Sequence, residues 1–286
     1  MKTICFTNTG YRYRLGSQVF RSLSLTLSEG HVYGLLGENG VGKSTLMKLA
    51  AGVLIPTAGS VMIEGHEASR REASAMAKLF YLPEEFTLPA LSLDTYCRVT
   101  SPFYPTFSAE AYELCCKELD VVRDVRLDKL SMGQRKRALL AFAFATGAQW
   151  LLLDEPTNGL DVAAKEAFRR LVARYADEGR SVVISTHSVR EIDSLVDHLI
   201  ILDRKGVVLD ASIAEIGTRL RFGRFSAEEH SKWHEEPLFA ESTLAGTTGV
   251  TVNHSDEESA VDIEMLFMAS LRSTERLRAL FNTKNE

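Results

Sequence analysis

The sequence has few cysteines, and none of them is spaced like a set of metal ligands. Cysteine occurs only at Cys5, Cys97, Cys115 and Cys116 among 286 residues. The adjacent pair at 115 and 116 could form a mutual disulfide only through a strained ring. We therefore expect reduced thiols, as in a cytosolic protein.

A long apolar segment is also missing. The longest apolar stretch, residues 138–153, is interrupted by Thr146, Gly147 and Gln149, so it is too short and too broken to cross a bilayer as a helix. We interpret it as a buried helix followed by a buried strand. The apolar stretch at the start of the chain is too short for a secretory signal and resembles a strand. If the protein acts at a membrane, we expect another chain to supply the membrane part.

Positive charge is not in excess either. The chain has 33 lysines and arginines against 38 aspartates and glutamates, a net charge of −5, which disfavours nucleic acid as the main partner. Its composition, 45% hydrophobic and 25% charged, is typical of a globular protein. The length fits one α/β domain of about 200 residues with an appendage.

A glycine-rich loop lies between a strand and a helix. Residues 32–36 are strand-like, and residues 46–51 are good helix formers. In that context the loop predicts a nucleoside triphosphate site, because its N–H groups and the positive helix end surround the β- and γ-phosphates. Lys43 adds a positive charge, and the hydroxyl of Ser44 is placed to ligate Mg²⁺. The loop residues are Gly37, Glu38, Asn39, Gly40, Val41, Gly42, Lys43, Ser44 and Thr45.

The remaining pattern predicts an α/β fold with two additions. The first thirty residues alternate apolar and polar positions, which is typical of antiparallel strands. From residue 150 onward apolar strands alternate with helices, which indicates a parallel sheet covered on both faces. The predicted strands are 150–153, 181–185 and 198–202, and the predicted helices are 163–175 and 189–195. Residues 86–147 predict only helices, at 93–99, 109–119 and 133–145, with Phe103, Tyr104 and Phe107 expected in the core.

The end of the chain has a different character. Residues 225–247 are polar and acidic, residues 248–253 fit a strand, and residues 261–267 and 274–281 fit packed helices. His230 and His234, with four neighbouring glutamates, could be drawn as a metal site on one helical face. A solvated polar face is the preferred interpretation, because no apolar neighbours would shield such a site.

Two carboxylates end the apolar strand at 150–153. Asp154 lies where it can reach Mg²⁺, and the side chain of Glu155 leaves the strand in the other direction. Glu155 can therefore face the γ-phosphate and act as general base for an attacking water. The alternative, two acids that merely end a strand in a solvated turn, is less favoured in a chain with a phosphate-binding loop.

Two further helix starts carry polar residues that have two interpretations. Ser131, with Gln134 three residues later, fits a capping box, and the same helix start leaves amide groups that suit an anion. Ser188 and Glu191 predict a second helix cap, directly after His187. A histidine in such a place, taken alone, is more often structural than catalytic.

Together these motifs resemble the ATP-binding subunits of ABC transporters over residues 2 to about 218. The resemblance links residues 37–45 to the Walker A motif, 151–155 to Walker B, 130–134 to the family signature, 159–161 to the D-loop and His187 to the switch histidine. It implies an ABC ATPase fold, a P-loop NTPase core with an antiparallel β flank and a helical subdomain at about 86–147. It also implies ATP and Mg²⁺ as ligands, an ATP-binding domain over 1–218 and an extension over 219–286.

The resemblance further implies a composite site. In that family two subunits sandwich two ATP molecules, each held by the Walker motifs of one subunit and the signature of the other. Ser131, Gly133 and Gln134 would then contact the partner's ATP in a homodimer, and Asp161 would join the nucleotide site. The helical lobe resembles the short form found in exporter-type subunits with separate membrane partners. The protein would therefore lie on the cytoplasmic face of the cell membrane.

Two positions differ from the family's usual residues, and the position of the adenine-stacking ring has two candidates. Met132 stands where the family usually has a glycine, so it adds bulk at the dimer seam. Glu84 replaces the usual glutamine. Its carboxylate can still accept a hydrogen bond from a Mg²⁺-bound water, so we expect Glu84 among the metal and catalytic residues. Tyr13 is preferred over Tyr11 as the ring that stacks on adenine, because it lies nearer the expected distance before Lys43.

The leading hypothesis is an ATPase subunit that powers a membrane transporter. A soluble ABC-type ATPase acting on nucleic acid or ribosomes is the first alternative. Such proteins usually show two cassettes, a long coiled-coil insertion or basic linkers, none of which is present in the sequence. A regulatory module that holds ATP without hydrolysing it is the second, and the presence of Glu155 disfavours it.

Overall fold

The computed structural model describes residues 2–14, 16–123, 125–225, 236–243, 246–255 and 257–281, except for the side chains of residues 177 and 243. The chain forms two compact units. The first unit takes residues 1–32 and 42–186, and the second unit takes residues 33–41 and 187–286.

The described residues form strands and helices in the following order along the chain. The strands are β1 (Thr3–Arg12), β2 (Gln18–Ser28), β3 (Val32–Leu36), β4 (Ala58–Ile63), β5 (His66–Glu67), β6 (Leu79–Leu82), β7 (Trp150–Asp154), β8 (Ser181–Ser185), β9 (His198–Asp203), β10 (Gly206–Ser212), β11 (Leu220–Phe225), β12 (Phe239–Thr243) and β13 (Gly246–Val252). The α-helices are α1 (Lys43–Ala50), α2 (Ala73–Met76), α3 (Leu93–Thr100), α4 (Ala109–Glu118), α5 (Met132–Ala145), α6 (Val162–Asp177), α7 (Ile213–Arg219), α8 (Ile263–Arg272) and α9 (Thr274–Phe281).

The first unit contains the predicted antiparallel flank. Its strands are hydrogen-bonded in the order β2-β1-β4-β5, and β1 pairs with β2 and with β4 in antiparallel register. Ile4 and Phe6 alternate with more exposed residues along β1 and are buried, which explains the apolar–polar alternation of the sequence. The prediction of antiparallel strands in the first thirty residues is confirmed.

Parallel strands form the centre of the first unit. β6 pairs with β7 and β7 pairs with β8, both in parallel register. Every residue of β7 and of β8 is buried, as expected of parallel strands covered on both faces. The pairing places Asp154, at the end of β7, opposite Ser185 at the end of β8. The stretch over residues 138–153 is thus a buried helix followed by a buried strand, as predicted.

The helical segments predicted between residues 86 and 147 are confirmed as α3, α4 and α5. Each begins after a serine, residue 92, 108 or 131, whose hydroxyl accepts a backbone hydrogen bond from the first turn. Tyr104 and Phe107 pack around Phe142 with ring centroids about 6 Å apart. The expectation for Phe103 is wrong, because its side chain is 70% exposed. Phe103 ends a single 3-10 turn, and the backbone of Tyr104 is extended. The ring of Tyr104, and not that of Phe103, therefore packs against Phe142.

The second unit has a parallel pair of strands of its own. β3 pairs with β9 in parallel register, and β9 pairs with β10 in antiparallel register. The helix predicted over 189–195 is wrong, since the structure has one 3-10 turn at Val189–Glu191 followed by further turns. The side chain of Ser188 does not cap this segment. Ile192 instead donates its N–H to the carbonyl of Val189, three residues back, which tightens the turn beyond α-helical geometry.

The end of the second unit is a small α/β assembly. β11, β13 and β12 form an antiparallel sheet in that order, and α8 and α9 match the two predicted helices. β12 lies in a segment that the sequence marks only as polar. His230 and His234 lie outside the described residues. The predicted domain boundary at residue 218 falls within α7 and remains a prediction.

Two further expectations concern thiols and membranes. All four cysteines are free, and those at 97, 115 and 116 are buried, whereas the reduced state of the thiols remains a prediction. No helix in the described ranges is both long enough and apolar enough to cross a membrane.

Candidate functional site

The phosphate-binding loop depends on glycine at two positions. In the second unit, a Cβ atom on Gly37 would lie 2.7 Å from the carbonyl oxygen of Leu202. In the first unit, Gly42 has φ +116°, and a Cβ there would lie 2.7 Å from the ring of Phe20. L-residues rarely adopt this backbone conformation, and there is no room for a side chain. Glycine is therefore required by both the space and the backbone.

The helix after the loop begins earlier than the sequence pattern indicates. α1 starts at Lys43 rather than Leu46, so Lys43 and Ser44 lie in its first turn. Gly42 provides no side-chain cap, and the first turn contains no acidic residue. The N–H groups that begin a helix have no partner within it, and the helix dipole favours an anion there. This helix end is therefore suited to phosphate.

Lys43 is buried where the charges of three carboxylates act on it. Its side chain is only 7% exposed. Burial lowers the pKa of Lys43, and the charges of Glu155, Asp154 and Glu84 oppose that shift. A buried ammonium is stabilised by nearby negative charge. The structure thus brings together four of the predicted site residues from α1, from the end of β7 and from the segment after β6.

Asp154 is oriented by two hydroxyl groups. Ser185 donates its hydroxyl hydrogen bond to Oδ1, and the phenol of Tyr81 lies 3.5 Å from Oδ2. Burial, followed by the charge of Asp154, raises the pKa of Tyr81, so the phenol keeps its proton and remains a donor. Such outer hydrogen bonds fix the direction of a metal-binding carboxylate. Neither Tyr81 nor Ser185 is among the residues predicted from the sequence for this site.

Glu155 has an unusual backbone conformation. Its φ is +47°, in the left-handed region that is uncommon for residues other than glycine. Its N–H donates to the carbonyl of Ser185 over 3.1 Å, and its carbonyl accepts from Nζ of Lys136 over 2.5 Å. Strained backbone persists where the surroundings hold it from several sides. Glu155 is 5% exposed, which differs from the solvated turn of the alternative interpretation.

Lys136 is a site residue that the sequence analysis missed. Its side chain is 1% exposed, and Nζ also donates to the carbonyl of Asn158 over 3.0 Å. It stands in the basic run at residues 135–137, which suggests a solvated helix face. However, Lys136 shares the helix face of Leu139, Leu140 and Ala143, which are buried. Helical periodicity is therefore the signal that would have found it.

The predicted magnesium ligands form an oxygen donor set. Ser44 is half-buried, and Glu84 is exposed, with Oε1 3.5 Å from Nδ2 of Asn158. Among the described residues, no group of three or more His, Cys, Asp or Glu side chains could hold a metal by itself. Mg²⁺ is usually bound by one or two carboxylates together with substrate phosphates. The residues present therefore fit Mg²⁺ as it would arrive with a nucleotide.

The two candidate tyrosines differ in exposure. Tyr11 is 7% exposed, whereas Tyr13 is 40% exposed. The hydroxyl of Tyr13 lies 3.1 Å from Oγ1 of Thr45 in the phosphate-binding loop. The two rings meet edge to face with centroids 4.9 Å apart. The accessible ring beside the loop is thus that of Tyr13, which favours it for stacking on a base.

The signature residues lie at the start of α5. The capping box is confirmed, since the Ser131 hydroxyl accepts from the N–H of Gln134 and the Gln134 side chain accepts from the N–H of Ser131. Ser131 is exposed, as is Met132, at 47%. A Cβ on Gly133 would lie 2.5 Å from the carbonyl oxygen of Gly159. This close approach joins the signature segment to the segment that follows Glu155.

Two more predicted residues have well-defined places. Asp161 accepts the N–H of Ala164 over 2.9 Å, which caps α6, and pairs with Arg137 over 2.5 Å. His187 lies two residues after β8 and is exposed.

The remaining residues of the phosphate-binding loop differ in exposure. Glu38, Asn39 and Gly40 are exposed, and Val41 is buried.

Comparisons with known proteins place this chain in a family. Residues 20–158 match the family described as ABC transporter. The chain is 30% identical over 225 residues to the lipopolysaccharide export system ATP-binding protein LptB of Escherichia coli strain K12, a match that covers 76% of this chain and 93% of LptB. It is 34% identical over 189 residues to the ABC transporter ATP-binding/permease protein Rv1747 of Mycobacterium tuberculosis. That match covers 63% of this chain but only 22% of Rv1747.

A solved structure agrees with the fold. A dimeric ATP-binding cassette, bound to ADP and phosphate in a post-hydrolysis state, superimposes with a TM-score of 0.64 at 22% identity, covering 73% of this chain and 98% of that one. An identity this low is evidence for the fold alone, whereas the match to LptB extends over nearly its whole length. The chain belongs to the ATP-binding proteins of ABC transporters, ATPases that power transport.

Proposed function

We propose that two copies of this chain sandwich ATP and hydrolyse it with Glu155 as general base, driving a separate membrane subunit. The observation that carries this proposal is the position of Lys43. It is buried at an uncapped helix start, with the charges of Glu155, Asp154 and Glu84 acting on it. Such a site is built for a polyanion that arrives with a divalent cation.

The chemistry follows from the residues around Lys43. The N–H groups of α1 and the ammonium of Lys43 bind the β- and γ-phosphates, and the ring of Tyr13 stacks on adenine. Ser44, Asp154 and Glu84 hold Mg²⁺, which neutralises charge on the phosphate oxygens when bound. Glu155 accepts the proton of the attacking water, and His187 helps to orient the reacting groups.

The signature segment supports the proposed dimer. Ser131 is exposed at a helix start, and the same chain carries the Walker motifs, so two copies can complete each other's sites. Ser131, Gly133 and Gln134 then bind the partner's nucleotide, with Asp161 near it. The dimeric cassette of the same fold supports this arrangement.

The membrane partner is a separate polytopic protein at the cytoplasmic face of the cell membrane. The net charge of −5 is unfavourable for the alternative, an ATPase that acts on nucleic acid. In this proposal residues 1–218 are the ATP-binding domain, residues 86–147 are its helical subdomain, and residues 219–286 are an extension.

Steady-state phosphate release by the purified chain tests the proposal. Because one site needs two chains, the rate per chain should rise with chain concentration and level off when dimers predominate. A rate per chain that is the same at every concentration would contradict the shared site. Copurification of the chain with a polytopic membrane protein from solubilised membranes tests the partner, and exclusive copurification with nucleic acid or ribosomes would favour the alternative.

A further inference from the structure

The segment that follows His187 is anchored on one side by strand β3. Gly34, in the middle of β3, lies against Ile192 and Val196, since a Cβ on Gly34 would be 2.9 Å from Cδ1 of Ile192 and 3.2 Å from Cγ1 of Val196. Ile192 is fully buried. Gly34 stands three residues before Gly37, where the phosphate-binding loop begins. The turn after His187 is thus packed against the strand that leads to that loop.

Helix α8, near the C-terminus, contacts the same turn. α8 packs against the 3-10 turn at Val189–Glu191. Nε of Arg190 lies 3.1 Å from Oε2 of Glu264, and Nη2 lies 3.4 Å from Oε1. Both carboxylate oxygens therefore meet the guanidinium, a two-point geometry that fixes orientation as well as distance. Ile263 and Leu266 of α8 are buried.

Further acidic residues lie close in sequence to the ion pair. Asp262 caps α8 by accepting the N–H of Met265 over 2.8 Å, which fixes its carboxylate beside Glu264. Burial, followed by the charges of Asp262 and Glu264, raises the pKa of Asp193, three residues after Arg190. The negative charges on the turn and on α8 thus repel one another, and the guanidinium of Arg190 offsets that repulsion. Without Arg190 the charges would push α8 and the turn apart.

We propose that Arg190 and Glu264 are positioning residues for His187, so that the C-terminal segment controls ATP hydrolysis rather than ATP binding. The turn packs against β3 on one side and α8 on the other. His187 precedes Arg190, the residue of the turn that pairs with α8, by three residues. A shift of α8 would displace the backbone next to His187, and the contacts described above lie within the second unit, whereas Lys43 and α1 belong to the first. This inference rests on the proposed role of His187 in hydrolysis.

Charge reversal in the full-length chain tests the inference. Arg190→Glu and Glu264→Arg should each lower kcat by about threefold or more, with KM for ATP within about twofold of wild type. The double variant restores the ion pair with reversed charges and should recover most of kcat. Lys205→Glu is the matched control, because Lys205 is an exposed cation paired over 2.6 Å with Glu275 of α9, and it should keep kcat.

A double-mutant cycle with His187 separates positioning from general damage. In a His187→Ala background, Arg190→Glu should cause little further loss of kcat, because its effect acts through the histidine. Unchanged kcat in both single variants, no recovery in the double variant, or a full additional loss in the His187→Ala background would overturn the inference. If His187→Ala itself keeps wild-type kcat, the proposed role of His187 fails together with this inference. If His187→Ala loses activity and Arg190→Glu does not, only this inference fails.

Discussion

The ammonium of Lys136 donates a hydrogen bond to the backbone carbonyl of Glu155 over 2.5 Å. The lysine belongs to α5, five residues after Ser131, and the carbonyl belongs to the segment after β7. A second bond, to the carbonyl of Asn158, holds the same segment further along. One buried cation therefore links the helix that carries the signature to the proposed general base, within a single chain.

Lys136→Met should lower kcat by about tenfold or more while the monomer keeps its affinity for ATP. Methionine has a similar length but leaves two carbonyls without their donor, at a cost of about 1–3 kcal/mol in the free energy of unfolding. Steady-state hydrolysis, nucleotide titration and denaturant unfolding measure the three quantities. Lys117→Met, at an exposed position of α4, is the control. Wild-type kcat in Lys136→Met would show that this bond does not position Glu155.

Lys43→Ala should weaken ATP binding by roughly tenfold or more, because the charge beside the β- and γ-phosphates is lost. Direct titration of the monomer with ATP measures the change. Lys48→Ala, in the last turn of the same helix, should bind nearly as wild type. Equal affinities for the two variants would remove the basis for placing the phosphates at α1.

Glu155→Gln should leave ATP binding intact and reduce turnover by about a hundredfold or more, because an amide cannot accept the proton of water. With hydrolysis blocked, ATP-bound dimers should accumulate and elute early in size-exclusion chromatography. Glu85→Gln, at an exposed neighbouring position, serves as the control. Near wild-type hydrolysis in Glu155→Gln would place the base elsewhere, with His187 the next candidate.

Ser131→Arg should leave ATP binding by the monomer nearly unchanged and abolish hydrolysis, because it adds bulk and charge only where the second chain binds. Mixed with Lys43→Ala chains, it should form heterodimers with one doubly altered site and one intact site. Some phosphate release should then return if a single intact site can act. Loss of ATP binding by the Ser131→Arg monomer would place the signature in its own chain's site and contradict the shared site.

The thiols should differ in reactivity with pH. Burial raises the pKa of Cys97 and Cys116 to about 11 and that of Cys115 to about 12, whereas Cys5 is half-buried. Iodoacetamide at pH 8 should therefore modify Cys5 first, as followed by mass spectrometry. An unfolded thiol ionises near pH 8.5, so the folded state should lose stability as pH rises from about 8.5 toward 11. Equal labelling of all four cysteines in the native protein would contradict their burial.

Much of the fold could be predicted because local chemistry and tertiary structure agree. Alternation of apolar residues marked β1 and β2, and continuous apolar runs marked β7 and β8. The helices predicted at 93–99, 109–119 and 133–145 agree with α3, α4 and α5 within one or two residues. The prediction failed at residues 189–195, where a cap-like Ser188 precedes only a 3-10 turn. There the packing of Ile192 and Val196 on Gly34 outweighs the local preference for a helix.

Some residues of the candidate site could also be predicted from the sequence, and others could not. The phosphate-binding loop, the two acids after β7 and the serine of the signature are recognisable in the sequence, because each requires particular residue types at short spacing. Tyr81, Ser185 and Lys136 are not, because they act on Asp154 or Glu155 from elements 19 to 73 residues away. The preference for Tyr13 over Tyr11 as the ring that stacks on adenine likewise depends on how exposed each side chain is, which is set by the packing around β1.

The sequence by itself determined which groups could bind phosphate and Mg²⁺, since hydrogen-bonding capacity, charge and backbone freedom belong to the residues themselves. Tertiary structure decided which of those groups meet and in what state of solvation. It buries Lys43 where the charges of three carboxylates act on it, holds Glu155 in a left-handed backbone conformation and packs α8 against the turn after His187. The physical reason is that burial and electrostatic interaction depend on distances between parts of the chain that are far apart in sequence.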